Sequence, residues 1–236
     1  MQLWCLHGNL QMPAVWAPLA AYFADGRVEV KSVDLWETLA PGCWEWAQQF
    51  CRELSQMPPA RRYLLGYSMG GRLALHAVLY RPELWAGAII VAADPGVSDL
   101  AERVACLRRD RIWGQRFLTE PWAQVLADWD AQGIFGGRPN PVPRDCGQLR
   151  RALICQAFYA YSKGFQADLR PALTRLPQPS ILYVTGAADS KYTAIGAQLA
   201  VACSTVRHAA ISSAGHRVPW ETPTAFYQQV EKFIQS

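Results

Sequence analysis

The strongest chemical signal in this 236-residue chain is Gly66-Tyr67-Ser68-Met69-Gly70, a serine with glycine two places away on either side. The spacing has a steric reason. A nucleophile raised on a tight turn between a strand and a helix takes strained dihedrals, and its neighbours at −2 and +2 must lack bulk. The run Tyr63–Tyr67 ahead of Ser68 is apolar and strand-length, and Gly71–Tyr80 after it has helical periodicity. The start of that helix offers partial positive charge and a free N–H, from Met69, to a developing oxyanion. A phosphate-binding loop is excluded, because no Gly-Lys-Ser/Thr follows.

Such a serine needs a base, and the chain has four histidines. His76, inside the helix after the turn, and His208, inside an apolar strand, read as packed residues. His7, in Leu6-His7-Gly8 at the end of the first strand, is placed to shape a turn whose next amide, Asn9 N–H, serves as a second oxyanion donor. His216 follows the last strand in Ala214-Gly215-His216, on a turn that can reach back over a sheet, and is the candidate base. Its imidazole needs a carboxylate to fix the tautomer and stabilise the cation. Asp189, in Thr185-Gly186-Ala187-Ala188-Asp189-Ser190-Lys191-Tyr192, follows a strand end and gives the chain order Ser68, Asp189, His216. Asp94, after the strand Gly87–Ala92, is its rival and otherwise a loop cap.

These residues require a scaffold of strands ending at one edge. Strand-length apolar runs occur at Gln2–Leu6, Val28–Val33, Tyr63–Tyr67, Gly87–Ala92, Ser180–Thr185 and Val206–Ile211. Helical patterns lie between or after them at Ala14–Phe23, Trp44–Leu54, Gly71–Tyr80, Thr193–Ala202 and Thr224–Gln235. The alternation implies an α/β fold with a mostly parallel sheet covered on both faces. From Val97 to about Leu176 no strand is visible. The chain there reads as helices Leu100–Phe117, Pro121–Trp129 and Gly147–Lys163 joined by the loop Gly133–Pro143. The expected organisation is therefore a core of residues 1–96 and 177–236 with a helical cap, 97–176, inserted over the carboxyl ends of the strands, where ligands bind in open α/β sheets.

Composition narrows the classes. With 51% hydrophobic and 18% charged residues the chain can bury a large core, which rules out general disorder. The net charge of +4 is too mild for a nucleic-acid binder. No apolar run reaches the ~18 residues that span a bilayer, and the first residues lack a signal-peptide pattern, so a cytoplasmic globule with no membrane partner is expected. Seven cysteines, none in a Cys-x-x-Cys pair, argue against a zinc site or a disulfide framework. Between Val97 and Lys163 ten Lys/Arg face seven Asp/Glu, a surplus that suits either an anion-facing segment or a solvated helical surface. The sequence carries no signal for oligomeric state.

With turn, acid and histidine in this order, the chain resembles the α/β-hydrolase superfamily. It resembles more narrowly the 2-succinyl-6-hydroxy-2,4-cyclohexadiene-1-carboxylate synthases, the MenH family of menaquinone and phylloquinone biosynthesis. Gly66-Tyr67-Ser68-Met69-Gly70-Gly71-Arg72 matches that family's Gly-Tyr-Ser-x-Gly-Gly-Arg. Asp94-Pro95-Gly96, Glu102-Arg103, the run from Arg109 to Pro121, Asp128-Trp129, Phe135, Gly186 with Asp189-Ser190-Lys191-Tyr192, and Ala214-Gly215-His216 continue the match. It covers nearly the whole chain, cap included.

The resemblance implies an α/β-hydrolase fold. About six strands are expected, because Gln2–Leu6 leads directly into the oxyanion turn and the first strands of the usual eight are missing. It implies a lyase: a cyclohexene bearing a succinyl group, a carboxylate and a pyruvyl enol ether loses a ring proton and expels pyruvate. Ser68, deprotonated by His216, would be the base, the amides of Asn9 and Met69 the oxyanion hole, and no cofactor or metal is implied. A small-molecule substrate with three carboxylates calls for guanidinium forks. Arg72 is the first candidate, against a plain surface arginine, and Arg103 and one of Arg150 or Arg151 are carried over from the cap. Tyr67 and Trp129 match pocket-lining aromatics or pack in the core, and His7 is counted with the substrate-binding residues. Two residues depart from the family. Cys106 stands where a second cap arginine is usual, with Arg108 or Arg109 one turn on as substitutes, and Asn9 replaces a common aromatic. The rivals are a carboxylesterase with the same triad and a non-catalytic ligand-binding scaffold, against which the intact Ser/Asp/His set argues.

Overall fold

The strands that carry the chemistry are those with no polar face. In a computed structural model that describes residues 1–236, every residue of β3 (Arg62–Tyr67) and β4 (Gly87–Val91) is buried, as is all of β5 (Ser180–Gly186) after its first residue. Strands buried on both faces belong inside a parallel sheet covered by helices. With β1 (Gln2–Leu6), β2 (Glu29–Val33) and β6 (Val206–Ile211) they form a six-stranded, wholly parallel sheet in the order β2-β1-β3-β4-β5-β6. The order reverses between β1 and β3, which opens a crevice beyond their carboxyl ends. Leu6 pairs with Gly66 in register there, so the residues after each strand, His7–Asn9 and Ser68, emerge side by side.

The helices are α1 (Ala17–Tyr22), α2 (Cys43–Ser55), α3 (Met69–Tyr80), α4 (Leu100–Thr119), α5 (Trp122–Asp130), α6 (Arg151–Ala160), α7 (Arg170–Leu173), α8 (Ser190–Ala202), α9 (Val218–Glu221) and α10 (Pro223–Gln235). Four of them, α4 to α7, separate β4 from β5. They hold together on aromatic contacts: Phe117 stacks on Phe158 at 5.7 Å and Trp113 meets Trp129 edge-on at 5.1 Å.

Two helix boundaries differ from the sequence pattern. The expected Ala14–Phe23 helix divides into a 3-10 turn, Pro13–Trp16, and α1. Pro18 is the reason, since it has no N–H to continue the ladder. The expected Gly147–Lys163 helix is only Arg151–Ala160. At its front the Asp145 carboxylate accepts Gly147 N–H at 2.9 Å and closes a separate turn. At its end Ser162 and Lys163 leave the helix to reach Asp110 and Asp94, at 2.7 and 2.8 Å. Six of the seven cysteines are buried and Cys146 is partly exposed. No helix is long and apolar enough to cross a membrane.

Candidate active site

Ser68 stands between β3 and α3 with φ 51° and ψ −109°, a strained backbone for a residue with a side chain. Its own N–H is tied to Val91 O of β4 at 2.9 Å. The turn is possible because Gly70 lies against the end of β1: a Cβ there would come within 2.5 Å of the His7 carbonyl oxygen. Any side chain at that position would push the oxyanion turn away from the serine.

His216 and Asp189 complete the arrangement. Asp189 ends the loop after β5 and caps α8, its Oδ1 accepting Tyr192 N–H at 3.3 Å. The other oxygen, Oδ2, accepts His216 Nδ1–H at 2.7 Å. With Nδ1 protonated, Nε2 is the acceptor that faces Ser68 Oγ at 3.3 Å. The imidazole is 2% exposed and enclosed by the rings of Tyr192, Tyr67 and Phe135, at 4.9, 5.6 and 5.9 Å. Its turn is held from outside by Glu221, which accepts Gly215 N–H at 2.6 Å and Arg217 N–H at 3.0 Å. Asp94, the rival acid, makes no hydrogen bond to His216 and binds Lys163 instead.

The N–H groups of Asn9 and Met69 make no hydrogen bond within the protein, and both residues line the same cavity as Ser68. His7 is a correction to the substrate-binding set. It is wholly buried, donates Nδ1–H to Gly8 O at 2.8 Å, accepts Leu35 N–H on Nε2 at 3.1 Å, and does not line the cavity. Burial pushes its imidazole down to about 4, so it works as a neutral brace under the oxyanion turn.

The cavity, of about 590 Å³, lies between the sheet edge and the helical segment. Tyr67, Arg72 and Trp129 line it as expected, and so does Arg109, one turn beyond Cys106. Arg103, Arg150 and Arg151 do not. Arg103 donates to Gly164 O at 2.9 Å, Arg150 is exposed just before α6, and Arg151 stacks over the Trp122 ring at 4.1 Å while bonding Phe117 O. Five cations that the sequence had not singled out as substrate-binding are present instead: Arg138, Arg144, Lys163, Lys191 and Arg217. Three of these lay within the basic segment singled out by charge, but nothing in their spacing said which way they face.

The lining thus holds seven cations, Arg72, Arg109, Arg138, Arg144, Lys163, Lys191 and Arg217, against only Asp110 and Asp189. Arg144 is held bidentately by Asp130 at 2.7 and 2.8 Å, and Arg217 bonds the same carboxylate while lying 3.6 Å over the Phe135 ring. Arg138 spans Ser213 O at 3.0 Å and Glu221 at 3.2 Å. Arg72 Nη1 donates to Tyr161 O at 2.5 Å and Gln166 Oε1 at 3.2 Å, both uncharged acceptors. The site can activate a hydroxyl, receive a developing oxyanion and hold a polyanion.

Comparison with known proteins agrees with this chemistry. Residues 5–229 match the profile of a family described as the alpha/beta hydrolase family. The 2-succinyl-6-hydroxy-2,4-cyclohexadiene-1-carboxylate synthase of Escherichia coli O1:K1 is 31% identical over 189 residues, covering 78% of this chain and 73% of that protein. The enzyme of the same name from Escherichia coli K12 is 33% identical over 177 residues, covering 73% and 68%. Among solved structures, that of MenH from S. aureus superposes with a TM-score of 0.86 at 20% identity, over 100% of this chain and 93% of the other. At that identity the superposition speaks for the fold.

Proposed function

We propose a lyase function from one premise: the chain belongs to the alpha/beta hydrolase family and, within it, to the 2-succinyl-6-hydroxy-2,4-cyclohexadiene-1-carboxylate synthases. It eliminates pyruvate from 2-succinyl-5-enolpyruvyl-6-hydroxy-3-cyclohexene-1-carboxylate to form the cyclohexadiene of that name, a step of menaquinone biosynthesis. His216 takes the Ser68 proton, and the Ser68 oxygen removes the hydrogen from the ring carbon that bears the succinyl group. The electron pair of that C–H bond forms a new ring double bond, the existing double bond moves one place, and the C–O bond to the enolpyruvyl group breaks. Enolpyruvate leaves, takes up the proton held by His216 and becomes pyruvate, so that Ser68, reprotonated by the ring hydrogen, and a neutral His216 are restored. Negative charge building on the succinyl carbonyl oxygen is received by the amides of Asn9 and Met69. Asp189 keeps His216 in the tautomer that can accept the proton.

The observation that carries this reading over an ester hydrolase is the lining charge. Seven cations and two acids suit a substrate with three carboxylates, and a simple ester has no use for them. The helical segment 97–176 acts as the cap, since it supplies most of those cations. Six buried cysteines and one partly exposed suit a reducing compartment, and the cytoplasm is where we place the enzyme. Purified protein mixed with the enolpyruvyl substrate should release pyruvate in step with the rise of diene absorbance. Release no faster than the spontaneous background would refute the lyase.

A further inference from the structure

Asp94 is the buried carboxylate that the triad leaves unused. It lies just beyond β4, 3% exposed, with Oδ1 accepting Gly96 N–H at 3.1 Å and Oδ2 accepting Lys163 Nζ at 2.8 Å. Lys191 Nζ stands 3.9 Å from the same Oδ2, beyond hydrogen-bonding distance. Two ammonium groups therefore share one carboxylate in the cavity wall, and one positive charge is left without a counter-ion. The Lys191 side chain is 52% exposed, so its ammonium stands at the mouth of the cavity, where an anion that completes the set is favoured. Burial, then the neighbouring Lys163 ammonium, holds the Lys191 amine below its ordinary range, a sign of the same unbalanced charge.

The other cavity cations are differently placed. Arg144 and Arg217 share Asp130, Arg138 meets Glu221, and Arg109 lies 3.4 Å from Asp110. Arg72 touches only neutral acceptors through one nitrogen and keeps its remaining donors. Arg72 and Lys191 are thus the two lining cations with no carboxylate within hydrogen-bonding distance, and each is close in sequence to a triad member, Ser68 or Asp189.

We propose that Lys191, braced by the Asp94–Lys163 pair, is a carboxylate subsite of this cavity separate from that of Arg72, so that a ligand must present two carboxylates to satisfy both. Asp94 neutralises Lys163 at 2.8 Å and leaves the donors of Lys191 to the ligand. The assignment of the ligand as the enolpyruvyl tricarboxylate rests on the function proposed above, but the subsite itself is a statement about any small polycarboxylate.

The test compares the wild type, Lys191→Gln, Lys191→Arg and Lys232→Gln, an exposed control on α10. Pyruvate release gives kcat and KM, and tricarballylate serves as a competitive polycarboxylate probe. Lys191→Gln should raise KM and the tricarballylate inhibition constant about tenfold with kcat kept within about twofold, Lys191→Arg should restore most of the loss, and Lys232→Gln should change neither. An active wild type whose Lys191→Gln variant keeps both constants, or loses kcat alone, would overturn the subsite. An inactive wild type that binds tricarballylate through Lys191 would overturn the proposed function and leave the subsite standing.

Discussion

The carboxylate of Glu221 holds the turn that carries His216, accepting the backbone N–H on either side of it, Gly215 at 2.6 Å and Arg217 at 3.0 Å. The same carboxylate meets Arg138 of the helical segment at 3.2 Å. Glu221→Gln keeps the shape but can accept on one oxygen only, leaving an amide nitrogen to face an N–H. We expect turnover to fall about tenfold with a smaller change in KM, and stability to fall by about 1–3 kcal/mol for the unpaired buried amide. Steady-state pyruvate release and a urea melt measure the two effects separately. A variant with wild-type turnover would show that the turn keeps its place without this carboxylate.

Ser68→Ala and His216→Ala should each lower turnover by at least ~10³-fold while the protein remains folded. Asp189 has two duties, tautomer control and the cap of α8. Asparagine caps a helix as well as aspartate does, so Asp189→Asn should melt close to the wild type yet lose at least ~10²-fold in turnover. Loss of stability without loss of rate would reverse the two roles.

The pH dependence of stability should carry the mark of His7. Its imidazole, neutral and bonded on both nitrogens, is pushed by burial from 6.5 to about 4. The unfolded chain therefore takes up a proton before the folded one does, and stability falls as pH drops from about 6.5 toward 4. The span corresponds to roughly 3 kcal/mol. The stabilisation is fully present above the unfolded value, so raising pH from 7 to 8 adds nothing from this group. Urea melts between pH 4 and 7 should show the slope. His76, buried and likewise pushed down to about 4, contributes in the same direction, so His7→Asn should flatten part of the slope rather than all of it.

Arginines on and off the cavity should separate cleanly. Arg72→Met should raise KM at least about tenfold, as expected when a guanidinium-to-carboxylate contact is lost. Arg150→Gln, at an exposed position, should leave kcat and KM unchanged. If Arg150→Gln raised KM as strongly as Arg72→Met, the cavity lining described above would be wrong.

Much of this was legible in sequence because the chemistry is local. The Gly-x-Ser-x-Gly turn is set by five consecutive residues, and the carboxylate and histidine follow strand ends that apolar runs mark clearly. The segment between β4 and β5 was legible as helices but not as a cavity lining. Arg150 and Arg151 are neighbours, yet one faces solvent and the other lies on Trp122 and Phe117 O, a difference decided by how the start of α6 meets the junction of α4 and α5. Arg138 and Arg144 come from a Gly/Pro loop with no periodicity to say where they point. Lys163 gains its place only because β4 ends where Asp94 can reach it. His7 deceived for the opposite reason: its position beside the oxyanion turn suggests contact with substrate, while its two hydrogen bonds point into the protein.

The distribution of sulfur has a use of its own. Six thiols are sealed inside and Cys146 alone is partly open, and burial pushes Cys43 up to about 11 and Cys51 up to about 12. A disulfide-exchange dye added to the native protein should meet one sulfur promptly and the others only as the chain breathes. Each slow equivalent of colour then reports an opening event, giving a clock for native-state fluctuations that needs neither substrate nor label.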